Sequence, residues 1–246
     1  MKTMIFSLFK SKPTLKELIP NGFVDIHSHV LPGIDDGAKN VEESIELIGK
    51  MKEMGFTKII ATPHTYDGMY NNTNKSIKES YDKLCKNYEN NNIIDFASEY
   101  MLDSNLIKKA REKELLCIKE NLVLVEMSYI SAPNDLYEII FQLQLNNYIP
   151  ILAHPERYGF LFNNFEEYYR LKKIGVNFQL NLLSTTGYYG NEILKISDKL
   201  LKNNMINFVG SDIHSQKHIN QFKNKVKIKN IRKLKNAIEK NILLFK

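Results

Sequence analysis

Short apolar runs rich in β-branched residues alternate with longer amphipathic stretches along almost the whole chain. The runs predict strands over Phe23–His27, Lys58–Thr62, Ile93–Ser98, Leu122–Glu126, Ile149–His154, Val176–Leu180 and Asn207–Gly210. Between them, apolar residues recur at i, i+3, i+4 and i+7, which gathers them on one face of a helix. Val41, Ile45, Ile48 and Met51–Met54 form the first such face, and Gly55 supplies a helix-ending residue. Helices are expected likewise over Ser76–Tyr88, Asp135–Leu145, Phe165–Ile174, Glu192–Leu201 and Ile231–Leu243, with a turn at Asn90–Asn92. This alternation predicts an α/β fold with parallel strands and helical crossovers.

Polar residues decide between an open sheet and a closed one. They fall at the C-terminal ends of nearly all the strands rather than at one crevice, and barrel strands bring those ends to a common mouth. The expectation is therefore a single TIM-like barrel domain over residues 23–246, preceded by an N-terminal extension, residues 1–22. Hydrophobic residues at 43% and charged ones at 25% suit a globular chain, and no apolar run approaches the roughly 20 residues that span a bilayer. The apolar start around Ile5, Phe6, Leu8 and Phe9 is too short for a signal peptide. It reads as packing on the barrel or as disordered, with transient membrane-surface docking as a weak helix the alternative. Two cysteines, Cys85 and Cys117, exclude a disulfide scaffold and suggest the reducing cytoplasm. The net charge of +6 is local: seven lysines and Arg232 lie between Lys217 and Lys235 without an acid, leaving the remainder at −2. That stretch reads as a solvated helix face, with docking of an acidic partner as the alternative, and no nucleic-acid partner is expected.

The strand ends carry the chemistry. His27 and His29 follow the first strand, His64 the second and Glu99 the third; Glu126 ends the fourth, His154 the fifth, and Asp212 and His214 follow the last. A lone buried histidine is usually a satisfied core residue. Five at corresponding places in successive βα units point to metal binding. Imidazole mixed with carboxylate, without thiolate, suits manganese, iron or zinc. Eight ligands are too many for one ion with an open position but suit two or three sharing a carboxylate. Two carboxylates about 5 Å apart repel by roughly 3 kcal/mol at an effective dielectric near 20, so a mouth holding three or four acids needs cations.

DIHSHVLPGIDDGA, ATPH, VEMSY, AHPERY and GSDIHS, in that order, resemble the bacterial PHP-domain tyrosine-protein phosphatases of capsule and exopolysaccharide operons. The resemblance runs from Phe23 to Ser215, and GIDDG with HPERY is its most specific part. It implies a distorted (β/α)7 barrel of the PHP fold, a trinuclear metal centre, often manganese, and hydrolysis of phosphotyrosine on a polysaccharide-synthesis tyrosine kinase; with the ligand count, the expectation is two or three divalent ions, manganese first. By the same resemblance, His27, His29, Glu99 and Asp212 would hold one ion, and Glu99, Glu126 and His154 a second. His64 and His214 would hold a third, with Asp36 a further ligand or an acid near the leaving oxygen, and Arg157 would grip the phosphate. Thr65 stands where a second histidine is often found in this family.

The implied mechanism is attack by a metal-activated hydroxide without a covalent phosphoenzyme. A thiol mechanism fails on spacing, because the position that needs arginine holds Asn91 after Cys85 and Val123 after Cys117. Alternatives are a phosphoesterase for a small metabolite such as histidinol phosphate, and a non-catalytic scaffold in a polysaccharide complex. Asp35 reads as loop-structural, His218 as exposed, and Tyr158, Tyr188 and Tyr189, near the motifs, as packing residues, with stacking on a substrate's phenyl ring as the alternative.

Overall fold

The computed structural model describes residues 11–89 and 91–246. Met1–Lys10 of the extension and Asn90 of the expected turn lie outside them. The strands are β1 (Phe23–Asp25), β2 (Phe56–Ala61), β3 (His64–Thr65), β4 (Ile94–Phe96), β5 (Glu99–Met101), β6 (Leu122–Glu126), β7 (Ile149–Ala153), β8 (Asn177–Asn181) and β9 (Phe208–Gly210). The helices are α1 (Leu15–Leu18), α2 (Val41–Glu53), α3 (Asn74–Asn87), α4 (Ser104–Arg111), α5 (Leu136–Leu145), α6 (Phe165–Lys173), α7 (Asn191–Lys202), α8 (Gln216–Gln221) and α9 (Ile231–Phe245). All strand pairings are parallel, in a sheet β1-β2-β4 and a sheet β3-β5-β6-β7-β8-β9.

Two of the seven expected strands resume past their expected ends after a break. β2 and β3 are one stave broken at Thr62-Pro63, where proline has no N–H to give to a ladder. β4 and β5 are another, broken at Ala97-Ser98. Across the breaks the ladder continues, Ala97 N to Ala61 O at 2.8 Å and Glu99 N to Pro63 O at 3.1 Å. Seven parallel staves result, and the first meets the last.

That meeting of β1 and β9 is stitched by different groups at successive levels. Lowest, the buried Asn241 amide of α9 stands in for a ladder: its oxygen accepts from Val209 N at 3.1 Å, and its nitrogen donates to Val24 O at 3.0 Å and Val209 O at 2.7 Å. Next, the buried Asp25 carboxylate accepts from Ser211 N at 2.9 Å and from Ser211 Oγ at 2.5 Å. Above both, Asp212 N donates to His27 O at 2.8 Å and His29 N to Ile213 O at 2.9 Å. Inside, Val24, Ile60, Ala97, Leu124, Ile151 and Phe208 form an apolar layer that Phe245 of α9 closes from below.

Outside, the helices pack apolar faces on the staves. Asn40 caps α2 by accepting from Glu43 N, and Thr73 caps α3 with a reciprocal bond to Ser76. Three short helices were not predicted. α1 packs Leu15 and Leu18 into the core, so residues 13–18 of the expected extension dock on the body, pairing with residues 222–226. The Lys217–Lys235 stretch is solvated, as expected, but is not one helix face: between α8 and α9 it runs extended, with Val226 and Ile228 buried.

Asn241→Leu should cost about 2–4 kcal/mol, because it leaves a buried N–H and two carbonyls unpaired at the closing seam. Urea unfolding measures this; a loss below about 1 kcal/mol would show that the seam does not depend on this amide.

Candidate metal centre

The inner faces of the staves turn from apolar to ligating within one or two residues. Leu124 belongs to the apolar layer and Glu126, two residues on, faces the mouth. His154 directly follows the inward Ala153, so a continuing strand would point it away. Its left-handed backbone, φ 35°, turns it back. Asp212 is also left-handed, φ 52°. Backbone of this kind in non-glycine residues is costly and collects at functional sites. Two glycines are needed for close approach. A β-carbon on Gly37 would sit 2.0 Å from His29 O, and one on Gly210 would sit 2.6 Å from His27 Cβ.

The buried Glu99 carboxylate is the hub. Its Oε2 lies 3.1 Å from His27 Nε2, 3.4 Å from His29 Nε2 and 3.1 Å from His64 Nδ1, and its Oε1 is 3.1 Å from His154 Nε2. Glu126 Oε1 is 2.9 Å from His64 Nδ1. Asp212 Oδ1 lies 3.3 Å from His27 Nε2 and 3.4 Å from both His29 Nε2 and His214 Nδ1. Asp36, at the rim, lies 3.5 Å from His64 Nε2 and 3.4 Å from His214 Nε2. All ten residues singled out by the sequence are therefore in one place, Arg157 included, its Nη1 donating to Asp212 Oδ2 at 2.8 Å.

Tautomers test whether this cluster suits cations. His27 Nδ1 must donate to Gln179 Oε1 at 2.8 Å, because Gln179 Nε2 is itself committed to Leu180 O. His29 Nδ1 donates to Asp35 Oδ2 at 2.7 Å. Both rings then turn bare Nε2 lone pairs inward, 3.3 Å apart. Facing lone pairs beside a buried carboxylate are tolerable only with positive charge between them. The proton affinities agree. Burial disfavours charge on His64, yet Glu99 and Glu126 raise its pKa to about 10. Burial is likewise outweighed at His29, whose pKa is raised well above normal by Asp35, Asp212 and Glu99. Glu99 and Asp212, although buried, are held well below the carboxylate range by the imidazoles around them. Among the described residues, four overlapping groups bring ligand atoms within 4.8 Å of one another: His29, Asp36, His64 and His214; His27, Glu99 and His154; His27, His29 and Asp212; and His64, Glu99 and Glu126.

The cluster opens into a cavity of about 340 Å³ lined by Tyr129, Arg157, Tyr189 and His218 among others. The Arg157 guanidinium sits 4.8 Å from the Tyr129 ring centre and 4.3 Å from that of Tyr189. Tyr158 is fully buried, donating to Ala153 O, and serves packing. Asp35 is more than a loop residue, since it orients His29 and also accepts from His64 N at 3.1 Å. His218, expected to be exposed, lines the cavity, where burial and neighbouring His214 lower its pKa to about 4. Sequence reasoning passed over Gln179 and Asn181, which donates to Asp212 Oδ2 at 2.8 Å. The signal was there, as polar residues at alternate positions of an otherwise buried strand.

Residues 23–244 match the family model described as capsular polysaccharide synthesis, CpsB/CapC. The tyrosine-protein phosphatase YwqE of Bacillus subtilis is 32% identical over 79% of this chain and 78% of its own. CpsB of Streptococcus pneumoniae, also a tyrosine-protein phosphatase, is 25% identical over 78% and 83%. A solved structure from work on YwqE and CpsB, described there as metal-dependent tyrosine phosphatases, is similar with a TM-score of 0.78 and 28% identity, covering 90% of this chain and 94% of that one. A lactonase from Listeria monocytogenes, 10% identical with a TM-score of 0.54 over 93% and 96%, shares the fold alone.

Asp35→Ala should weaken binding of added Mn2+ by about 10–100-fold, the usual cost of losing a partner that orients a ligating histidine. Calorimetric titration reads the affinity directly, and unchanged binding would reduce Asp35 to a loop residue.

Proposed function

The chain belongs to the CpsB/CapC family of capsular polysaccharide synthesis, and we propose that it is a metal-dependent protein-tyrosine phosphatase. The observation that carries this reading is the Glu99 hub with four imidazoles around it and an arginine at the same opening. We take residues 23–246 as the catalytic domain. Its ligands are His27, His29, His64, Glu99, Glu126, His154, Asp212 and His214, holding two or three divalent ions, manganese in the first instance. When bound, such ions lower the pKa of water toward neutrality and neutralise charge on the phosphoryl oxygens.

The chain's own residues do the rest. Arg157 spends one donor on Asp212 and has four left for phosphoryl oxygens. Its two flanking tyrosines restrict the guanidinium, so little freedom is lost when phosphate binds. Asp36, at the rim between His64 and His214, joins those eight as a further ligand rather than acting as an acid. The phenolate of tyrosine, with a pKa near 10, leaves with less protonation than an alkoxide needs. Tyr129 and Tyr189 offer ring faces for the substrate's phenyl group. The substrate proposed is a phosphotyrosyl protein, in the first place a polysaccharide-synthesis tyrosine kinase. A cytoplasmic setting suits the two unpaired cysteines.

Chelation should abolish hydrolysis of phosphotyrosine peptides, and kcat/KM should fall in the order phosphotyrosine peptide, phosphoserine peptide, histidinol phosphate. Arg157→Ala should lower kcat/KM by about 2–4 kcal/mol in transition-state terms, the scale of one strong anion donor. Full activity in metal-free protein, or a preference for histidinol phosphate, would overturn the assignment.

A further inference from the structure

We propose that Lys217 and the segment Lys223–Lys229 form a docking ridge for an acidic polypeptide segment flanking the phosphotyrosine, a proposal that rests on the protein-phosphatase reading. The seven lysines and Arg232 between positions 217 and 235 are all exposed. Among the described residues none of them pairs with a carboxylate, whereas Lys50, Lys58, Lys75, Lys78 and Lys195 each do. Two acids beside the ridge are engaged elsewhere. Asp198 accepts from Lys229 N and Asn230 N at 2.8 and 2.9 Å, and Glu17 closes the cap of α1 at Thr14.

The ridge has a fixed shape. Lys225, Lys227 and Lys229 alternate with buried Val226 and Ile228, so successive ammonium groups leave one side of an extended chain about 7 Å apart. The backbone is pinned by Val226 N on Pro13 O at 3.0 Å and Lys227 N on Thr185 O at 2.8 Å. Two of the lysines lie beside residues that adjoin the cavity wall. Lys227 Nζ comes within 3.4 Å of where a β-carbon on Gly187 would stand, two residues before Tyr189. Lys217 Nζ lies 5.9 Å from the centre of the Tyr188 ring, which itself packs on Tyr189 and His218 in the cavity wall.

An extended peptide leaving the cavity on this side would pass along the row. Acidic side chains on alternate residues match its spacing. A bilayer is a poorer match, because the apolar residues between the lysines point inward and none is free to insert. Single exposed pairs are weak, but several in a row steer association and set register, and the remainder of the chain is net negative.

The test compares the full chain with a variant carrying Lys223→Gln, Lys225→Gln, Lys227→Gln and Lys229→Gln. Fluorescence anisotropy with a labelled, unphosphorylated hexaglutamate peptide should give an affinity about tenfold weaker for the variant at low salt. The difference should vanish at about 0.5 M salt, where screening acts within a few ångströms. In parallel, a glutamate-flanked phosphotyrosine peptide should have a KM about tenfold below its glutamine-flanked counterpart, with equal kcat, and the variant should bring that ratio close to one. Equal peptide affinity for both proteins, or no preference between flanks, would overturn the proposal. Lysine-dependent sedimentation with phosphatidylserine vesicles, without any peptide preference, would also overturn it and assign the ridge to a membrane. If the unphosphorylated peptide binds as expected while no phosphotyrosine peptide is hydrolysed, docking stands and the phosphatase reading is what fails.

Discussion

Removing the Glu99 carboxylate from water governs the mouth of this barrel. A buried ion carries a desolvation cost of several kcal/mol unless compensating charge is brought to it. Here four imidazoles from three staves gather on it, with Glu126 and Asp212 as neighbours that raise the demand. Gln179 behind His27, Asp35 behind His29 and the Asp212 carbonyl behind the nearby His214 fix which nitrogen each of these rings turns inward. The strained backbones at His154 and Asp212 and the missing side chains at Gly37 and Gly210 serve the same convergence. Each looks like a local irregularity until the charge at the centre is considered.

The strand-end ligands were legible because their residue types are wrong for their places: histidines and acids that terminate apolar runs have no packing reason to be there. The staves were legible from the same runs, although the pattern does not reveal that two of them break. Pro63 marks one break chemically; Ala97-Ser98 marks nothing, and only the register of neighbouring strands exposes it. α4 escaped notice because Leu106, Ile107 and Ala110 are its only apolar residues. Asp35 and Asp36 show the limit most clearly. Adjacent and identical, they face different histidines, and the loop path held by Gly37 decides which does what. His218 was misjudged for a related reason: its surroundings come from α8 folding back beside His214, a tertiary event without local trace.

Arg157 links the cluster of imidazoles and carboxylates to the cavity above it. One donor on Asp212 ties its position to that cluster, and two aromatic faces limit its swing. Lysine would keep the charge but lose both the fork and the stacking. The guanidinium and the cluster are therefore set by a shared contact, so a shift in one changes the other.

The seam between β1 and β9 joins residues 186 positions apart, Asp25 to Ser211. A ribosome adding about 5–20 residues per second needs roughly 10–40 s to pass from one to the other. Throughout that interval His27 and His29 exist without Asp212 or His214, and the stitching amide of Asn241 has yet to be made. Contacts this distant in sequence form slowly even in a finished chain. The cluster is thus assembled last, when β9 and α9 close the ring, and until then only part of the set of candidate ligands exists.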